Sequence, residues 1–191
     1  MMVRQFQLIV GLGLLAGCGG QSLVKPAEML DERTGATVSA LARPIELVER
    51  ADNAAPAAGQ RASFAYLGPV EWNRSGDITY GLWVHVAPGN DRQVGDIRAR
   101  GAVSLQLDDG SMVLVPTDAL HPGGSPYREV ASWGQTAYYE FGVAALKKIS
   151  ASQSLVLVLR GADQSAVDFT PSHETRSTLM QFAHSRGISA D

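Results

Sequence analysis

The sequence predicts a mainly β chain: an antiparallel β-sandwich or open barrel with one C-terminal helix, with a single-sheet α+β arrangement as the alternative. Three observations carry this. Apolar and aromatic residues alternate with period two through Phe64, Tyr66, Val70 and Trp72, and again through Ile78, Tyr80, Leu82, Val84 and Val86. Glycine-containing polar turns separate runs of this kind. A full helical stripe is expected only near the C-terminus.

Taken in order, Gly19 to Ala27 reads as a flexible tether, because Gly19-Gly20-Gln21-Ser22 is loose and Pro26 opposes regular pairing. Residues 28–33 are expected to form one helical turn that Gly35 stops. Residues 36–41 read as a strand, and Pro44 marks a bend or edge before a second strand over 45–50. Residues 52–60 have the composition of a surface loop. The two alternating runs flank Asn73-Arg74-Ser75-Gly76-Asp77 and make a hairpin. One face of that hairpin is expected to enter the core, leaving Trp83 and His85 on the solvent side.

Val103, Leu105 and Leu107 alternate up to Asp108-Asp109-Gly110, and Met112 to Val115 returns. Asp-Gly between such runs is a strong hairpin signal. Residues 116–132 are irregular around His121. Ala137, Tyr139, Phe141 and Val143 alternate, and 144–150 reads as a short helical turn with Leu146 and Ile149 inward. Leu155 to Leu159 is continuously apolar, as for a strand buried on both faces. A last short strand carries Val167 and Phe169. Ser172 is then the expected N-cap of the terminal helix, Glu174 lies in its first turn, and Arg186-Gly187 ends it. Its stripe is Leu179, Phe182 and Ala183. The expected layout is therefore residues 1–17, a connecting stretch over 18–35, and one β-rich domain over 36–191.

The N-terminus has a different character. One charge, Arg4, precedes an apolar run from Phe6 to Leu15 that only Gln7 interrupts. The pattern is that of a secretory signal, and the run is shorter than the roughly 20 residues a spanning helix needs. It closes on Leu15-Ala16-Gly17-Cys18, which contains the single cysteine of the chain. This resembles the lipobox of bacterial lipoproteins. The resemblance implies a diacylglyceryl group on the Cys18 thiol and cleavage between Gly17 and Cys18. Two or more acyl chains hold a protein to a bilayer firmly, at roughly 0.8 kcal/mol per buried methylene. Gly19 and Gly20 follow where an Asp would resemble an inner-membrane retention signal. The expected location is therefore the periplasmic face of the outer membrane, with the inner membrane as the alternative. Asp31-Glu32-Arg33-Thr34-Gly35-Ala36-Thr37, followed by a proline-bearing strand, also resembles openings of uncharacterised bacterial envelope lipoproteins; no activity comes with that resemblance.

Removing residues 1–17 from the 191 leaves 174, enough for one domain with a substantial core, and takes the formal net charge from −3 to −4 because Arg4 goes with them. A mildly acidic chain without a basic run argues against a nucleic-acid partner. With Cys18 lipidated, neither a disulfide nor a cysteine-based zinc site remains. No cofactor is expected beyond the lipid on Cys18, and no metal.

Catalytic motifs are weak. The four histidines are His85, His121, His173 and His184, and none forms a metal-binding spacing. There is no Gly-x-Ser-x-Gly, and Gly123-Gly124-Ser125 reads as a glycine-rich turn. Asp108-Asp109 reads as a turn and not as a carboxylate pair, since neighbours on a strand point to opposite faces. The aromatic residues are more informative. Trp83, His85, His121, Tyr127 and Trp133 are the candidate binding residues, and a shared exposed face among them would stack sugars or dock a protein. The function expected is an outer-membrane lipoprotein whose β-rich domain binds or scaffolds another envelope component. Its partners are then the membrane through the lipid and an envelope protein or cell-wall glycan. A lipid-anchored envelope hydrolase and a glycan-binding module are the alternatives.

Overall fold

The structure is a computed structural model that describes residues 26–50, 62–89, 94–118, 124–128, 130–161, 165–172 and 176–188. It is mainly β and antiparallel, as expected, with ten strands in one sheet that is not closed into a barrel. The strands are β1 (Ala27–Asp31), β2 (Ala36–Ala40), β3 (Ile45–Glu49), β4 (Phe64–Arg74), β5 (Asp77–Ala87), β6 (Val103–Leu107), β7 (Gly110–Val113), β8 (Gln135–Phe141), β9 (Leu155–Arg160) and β10 (Ala166–Pro171). Two helices are described, α1 (Val143–Ala151) and α2 (Arg176–Ser185). Neither is long and apolar enough to cross a membrane.

The long hairpin β4–β5 is the spine. Eleven residue pairs run from Phe64↔Ala87 to Arg74↔Asp77. Ser75 and Gly76 close it with φ of 53° and 94°, the two positive values that a tight two-residue hairpin turn requires. On its other edge β5 carries β8 from Val86↔Gln135 to Tyr80↔Phe141.

The free edge of β4 holds two strands in line. β2 pairs with its C-terminal half, Ala40↔Val70 to Thr37↔Asn73, and β3 with its N-terminal half, Val48↔Phe64 to Ile45↔Leu67. Between them the chain from Leu41 to Pro44 bulges opposite Gly68 and Pro69, where Pro44 was expected to bend it. Beyond that bulge the sheet diverges. β1 extends it from β2, while β10, β9, β6 and β7 follow in turn from β3.

Residues paired side by side share a face, so the register separates the sheet's two faces. Leu67, Val84 and Ala137 lie on one face, with Leu47, Phe169, Leu157 and Leu105 continuing it. Leu146 and Ile149 of α1, and Leu179 and Phe182 of α2, are buried in the hydrophobic cluster to which both faces contribute. The opposite face carries Val38, Val70, Trp72, Trp83, His85 and Tyr138, and this face is also buried.

Four expectations change. Residues 28–33 are not a helical turn: Ala27–Asp31 is an edge strand whose five residues all pair with β2, so the sheet begins inside the stretch expected to be connecting chain. The reversal that follows is fixed by Asp31, whose carboxylate accepts from the Arg33 N–H and the Thr34 hydroxyl, and by Gly35 at φ 69°. The short turn over 144–150 is a nine-residue helix, so the C-terminal helix is one of two. Ser172 does not cap α2; its N–H and hydroxyl both donate to the Glu46 carbonyl at 3.1 and 3.3 Å, extending the β3–β10 pairing. Trp83 and His85 do not face solvent. The end of α2 is as expected: Ile188 N–H donates to the Ala183 carbonyl at 2.9 Å and Gly187 N–H to that of His184 at 3.0 Å, with Gly187 at φ 70°.

Candidate functional site

The structure brings together three of the five candidate binding residues, and it does so in the interior. Trp83 stacks on His85 with ring centroids 5.7 Å apart and planes 11° from parallel, and Tyr127 lies 5.0 Å from Trp83 on a tilted plane. Trp83 and His85 are fully buried and Tyr127 nearly so. Alternation along β5 correctly set these side chains on the face opposite Leu82 and Val84. It could not reveal that residues 124–128 and 130–134 lie over that face. His121 and Cys18 lie outside the described residues.

Tyr127 holds the cover down. Its hydroxyl accepts from the Leu41 N–H at 3.0 Å and donates to the Pro69 carbonyl at 2.8 Å. Leu41 begins the bulge between β2 and β3, and Pro69 faces it from β4. One side-chain hydroxyl thus bridges the place where the backbone ladder is interrupted. Burial pushes the phenol of Tyr127 well above its usual range, and burial does the same to Tyr139, whose hydroxyl donates to the Ile97 carbonyl at 2.6 Å. Further along, Gly134 packs so closely on His85 that a Cβ there would lie 2.5 Å from the imidazole. His85 Nδ1 pairs with the Thr136 hydroxyl at 2.9 Å. The hydroxyl of Ser125 accepts from the Tyr127 N–H at 3.3 Å and from the Tyr138 hydroxyl at 3.4 Å. The imidazole is thus a packed core group, and the serine is engaged in holding the loop.

Trp133 is the exception. It is 63% exposed at the end of the same cover, with Val130, three residues before it, at 54%.

A surface depression lies elsewhere, at the opposite end of β8. The sheet stays open between β8 and the chain leaving β7. The bridge Pro116↔Tyr139 and the bond from the Thr117 N–H to the Tyr138 carbonyl, 2.9 Å, span that seam. Beside them is a groove of about 540 Å³ lined by Ile78, Tyr80, Val115, Glu140, Phe141 and Val143. A smaller, more polar hollow of about 330 Å³ sits across Pro116–Thr117, next to Arg98 and Asp118. Ile78, Val115 and Val143 are 47, 52 and 44% exposed, an apolar set at one groove. Sequence patterning counted all three as strand positions; only Ile78 is one, since Val115 lies past the end of β7 and Val143 opens α1, where the helix replaces the expected continuation of the strand.

Among the described residues no three His, Cys, Asp or Glu side chains converge as metal ligands. Comparison with protein-family models, curated proteins and solved structures gave no match.

Proposed function

We propose that this chain is a bacterial envelope lipoprotein, held by acyl chains on Cys18 at the periplasmic face of the outer membrane, whose β domain binds a second envelope protein at the seam groove. The exposure of Ile78, Val115 and Val143 around one depression carries the binding part of this reading. Apolar side chains grouped this way mark interaction surfaces, and burying each completely contributes about 1.5–3 kcal/mol. The lipobox Leu15-Ala16-Gly17-Cys18 supports the anchor, and Gly19-Gly20 supports the outer membrane. The buried aromatic stack does not contribute, since Tyr127 and His85 close off the faces of Trp83 on which a sugar would stack.

The test is crosslinking capture from cells producing the full chain, compared with a Val115→Asp, Val143→Asp double variant. Both positions are exposed, so the fold is retained. The expected result is one specific protein adduct that the double variant loses more than tenfold. An unchanged adduct overturns the groove assignment. For the anchor, Cys18→Ser is expected to leave the membrane fraction; its recovery there after a salt wash overturns that part.

A further inference from the structure

We infer that Trp133, with Val130, is a second membrane contact that lays the cover of the aromatic face on the lipid headgroups of the bilayer holding the anchor; this rests on the lipid-anchor reading.

The first support is the presentation of the side chain. Trp133 is 63% exposed and Val130 54%, while Ala131 between them is buried. The turn is mounted rigidly. The Gly134 N–H donates to the Ala131 carbonyl at 3.1 Å, and Gly134 itself is wedged against His85 and the Val86 carbonyl. A large apolar ring held out by a buried mount loses little conformational freedom on contact. Indole, apolar in body with one N–H, is the side chain that settles at the headgroup level of a bilayer.

The second support is where the tether enters the fold. Cys18 lies nine residues before Ala27, the first residue of β1. Fully extended, nine residues span at most about 30 Å. Ala27 pairs with Ala40, and the next residue, Leu41, donates its N–H to the Tyr127 hydroxyl. Met29 of β1 reaches the start of the cover, since a Cβ on Gly124 would lie 3.8 Å from its Cε. The chain thus enters the sheet beside the start of the cover whose far end carries Trp133, and the bilayer is the surface within its reach. The contact rests on the indole and the valine, both uncharged, so its strength is expected not to depend on the charge of the lipid.

The experiment uses the lipidated chain reconstituted in phosphatidylethanolamine–phosphatidylglycerol vesicles with brominated acyl chains. Brominated chains quench tryptophan only by contact. Trp72 and Trp83 are buried, so the quenchable emission reports Trp133. The expected result is partial quenching that Trp133→Phe removes, that Val130→Asp reduces at least twofold, and that added salt leaves unchanged. Equal emission with and without bromine overturns the inference. So does a benzophenone amino acid at position 133 that crosslinks in cells to a protein instead of to lipid. The mass of the N-terminal peptide reads the anchor separately. If Cys18 carries no lipid, the anchor reading fails, and quenching of the unlipidated chain by the same vesicles still decides the Trp133 contact.

Discussion

The ring of Tyr127 occupies the space that a side chain at position 68 would need: a Cβ built on Gly68 would lie 2.2 Å from Tyr127 Cε2. The glycine and the tyrosine are 59 residues apart, and each makes sense only with the other. Gly68 gives the ring room to reach the bulge, and the ring places its hydroxyl between Leu41 and Pro69. Gly68→Ala is expected to destabilise the domain by about 2 kcal/mol, as overpacking does, and to expose Trp83. Tyr127→Phe keeps the packing but leaves a buried N–H and carbonyl without their shared partner, which costs about 1–3 kcal/mol. Because Gly68→Ala already displaces the ring, the double variant is expected to lose less than the sum of the two. Urea unfolding followed by tryptophan emission measures all three, and strict additivity would refute the coupling.

Arg186, just beyond α2, ties the last element to the first strands. Its Nη1 lies 3.3 Å from Glu71 Oε1 and 3.5 Å from Glu28 Oε1, and its guanidinium sits 5.9 Å from the centre of the Phe182 ring. Glu71 is buried and Glu28 half out in water, so the Glu71 pair matters more. Arg186→Met leaves a buried carboxylate without its cation, and about 3 kcal/mol of stability is expected to go with it. Glu71→Leu with Arg186→Met removes both charges and is expected to recover most of the loss. Chemical denaturation of the two variants checks this, and a double variant as weak as Arg186→Met would contradict it.

Asp108 contributes a pH dependence. Its carboxylate accepts from the Ser154 hydroxyl and the N–H groups of Gln153 and Ser154, joining the β6–β7 turn to the end of α1. Those bonds, the Ser154 hydroxyl first, lower its pKa from 3.8 to about 2. The native state thus favours the ionised form. The stabilisation is present above about pH 4 and is lost as the pH falls toward 2. Asp108→Asn is expected to lower Tm at neutral pH, and the gap from the parent chain is expected to narrow between pH 4 and pH 2. A gap independent of pH would remove the carboxylate from the account.

Much of the fold was legible in the chain itself. Period-two alternation and the turn clusters Asn73-Arg74-Ser75-Gly76-Asp77 and Asp108-Asp109-Gly110 identified both hairpins, because hairpins are local. Glu28, Met29 and Leu30 favour helix in isolation, yet pairing of all five β1 residues with β2 outweighs that preference. The burial of Trp83 and His85 was not legible. An alternating strand states which residues share a face and not whether something distant covers it, and Tyr127 arrives from 44 residues later. The groove was hidden for a related reason. Ile78, Val115 and Val143 are exposed only because the sheet stops short of closure between β8 and the chain after β7, a property of the assembled sheet alone.

The way the chain enters at β1 has a mechanical consequence. Tension applied to the residues before Ala27 meets first an outermost strand of five residues, secured by its pairs with β2, by the packing of Met29 and by the ion pair of Glu28 with Arg186. That strand is a fuse. Peeled away, it releases about 17 Å of slack, at roughly 3.3 Å per residue. The Tyr127 hydroxyl and the β4–β5 spine behind it stay intact, so a pull on the leash is absorbed at the rim before it reaches the core.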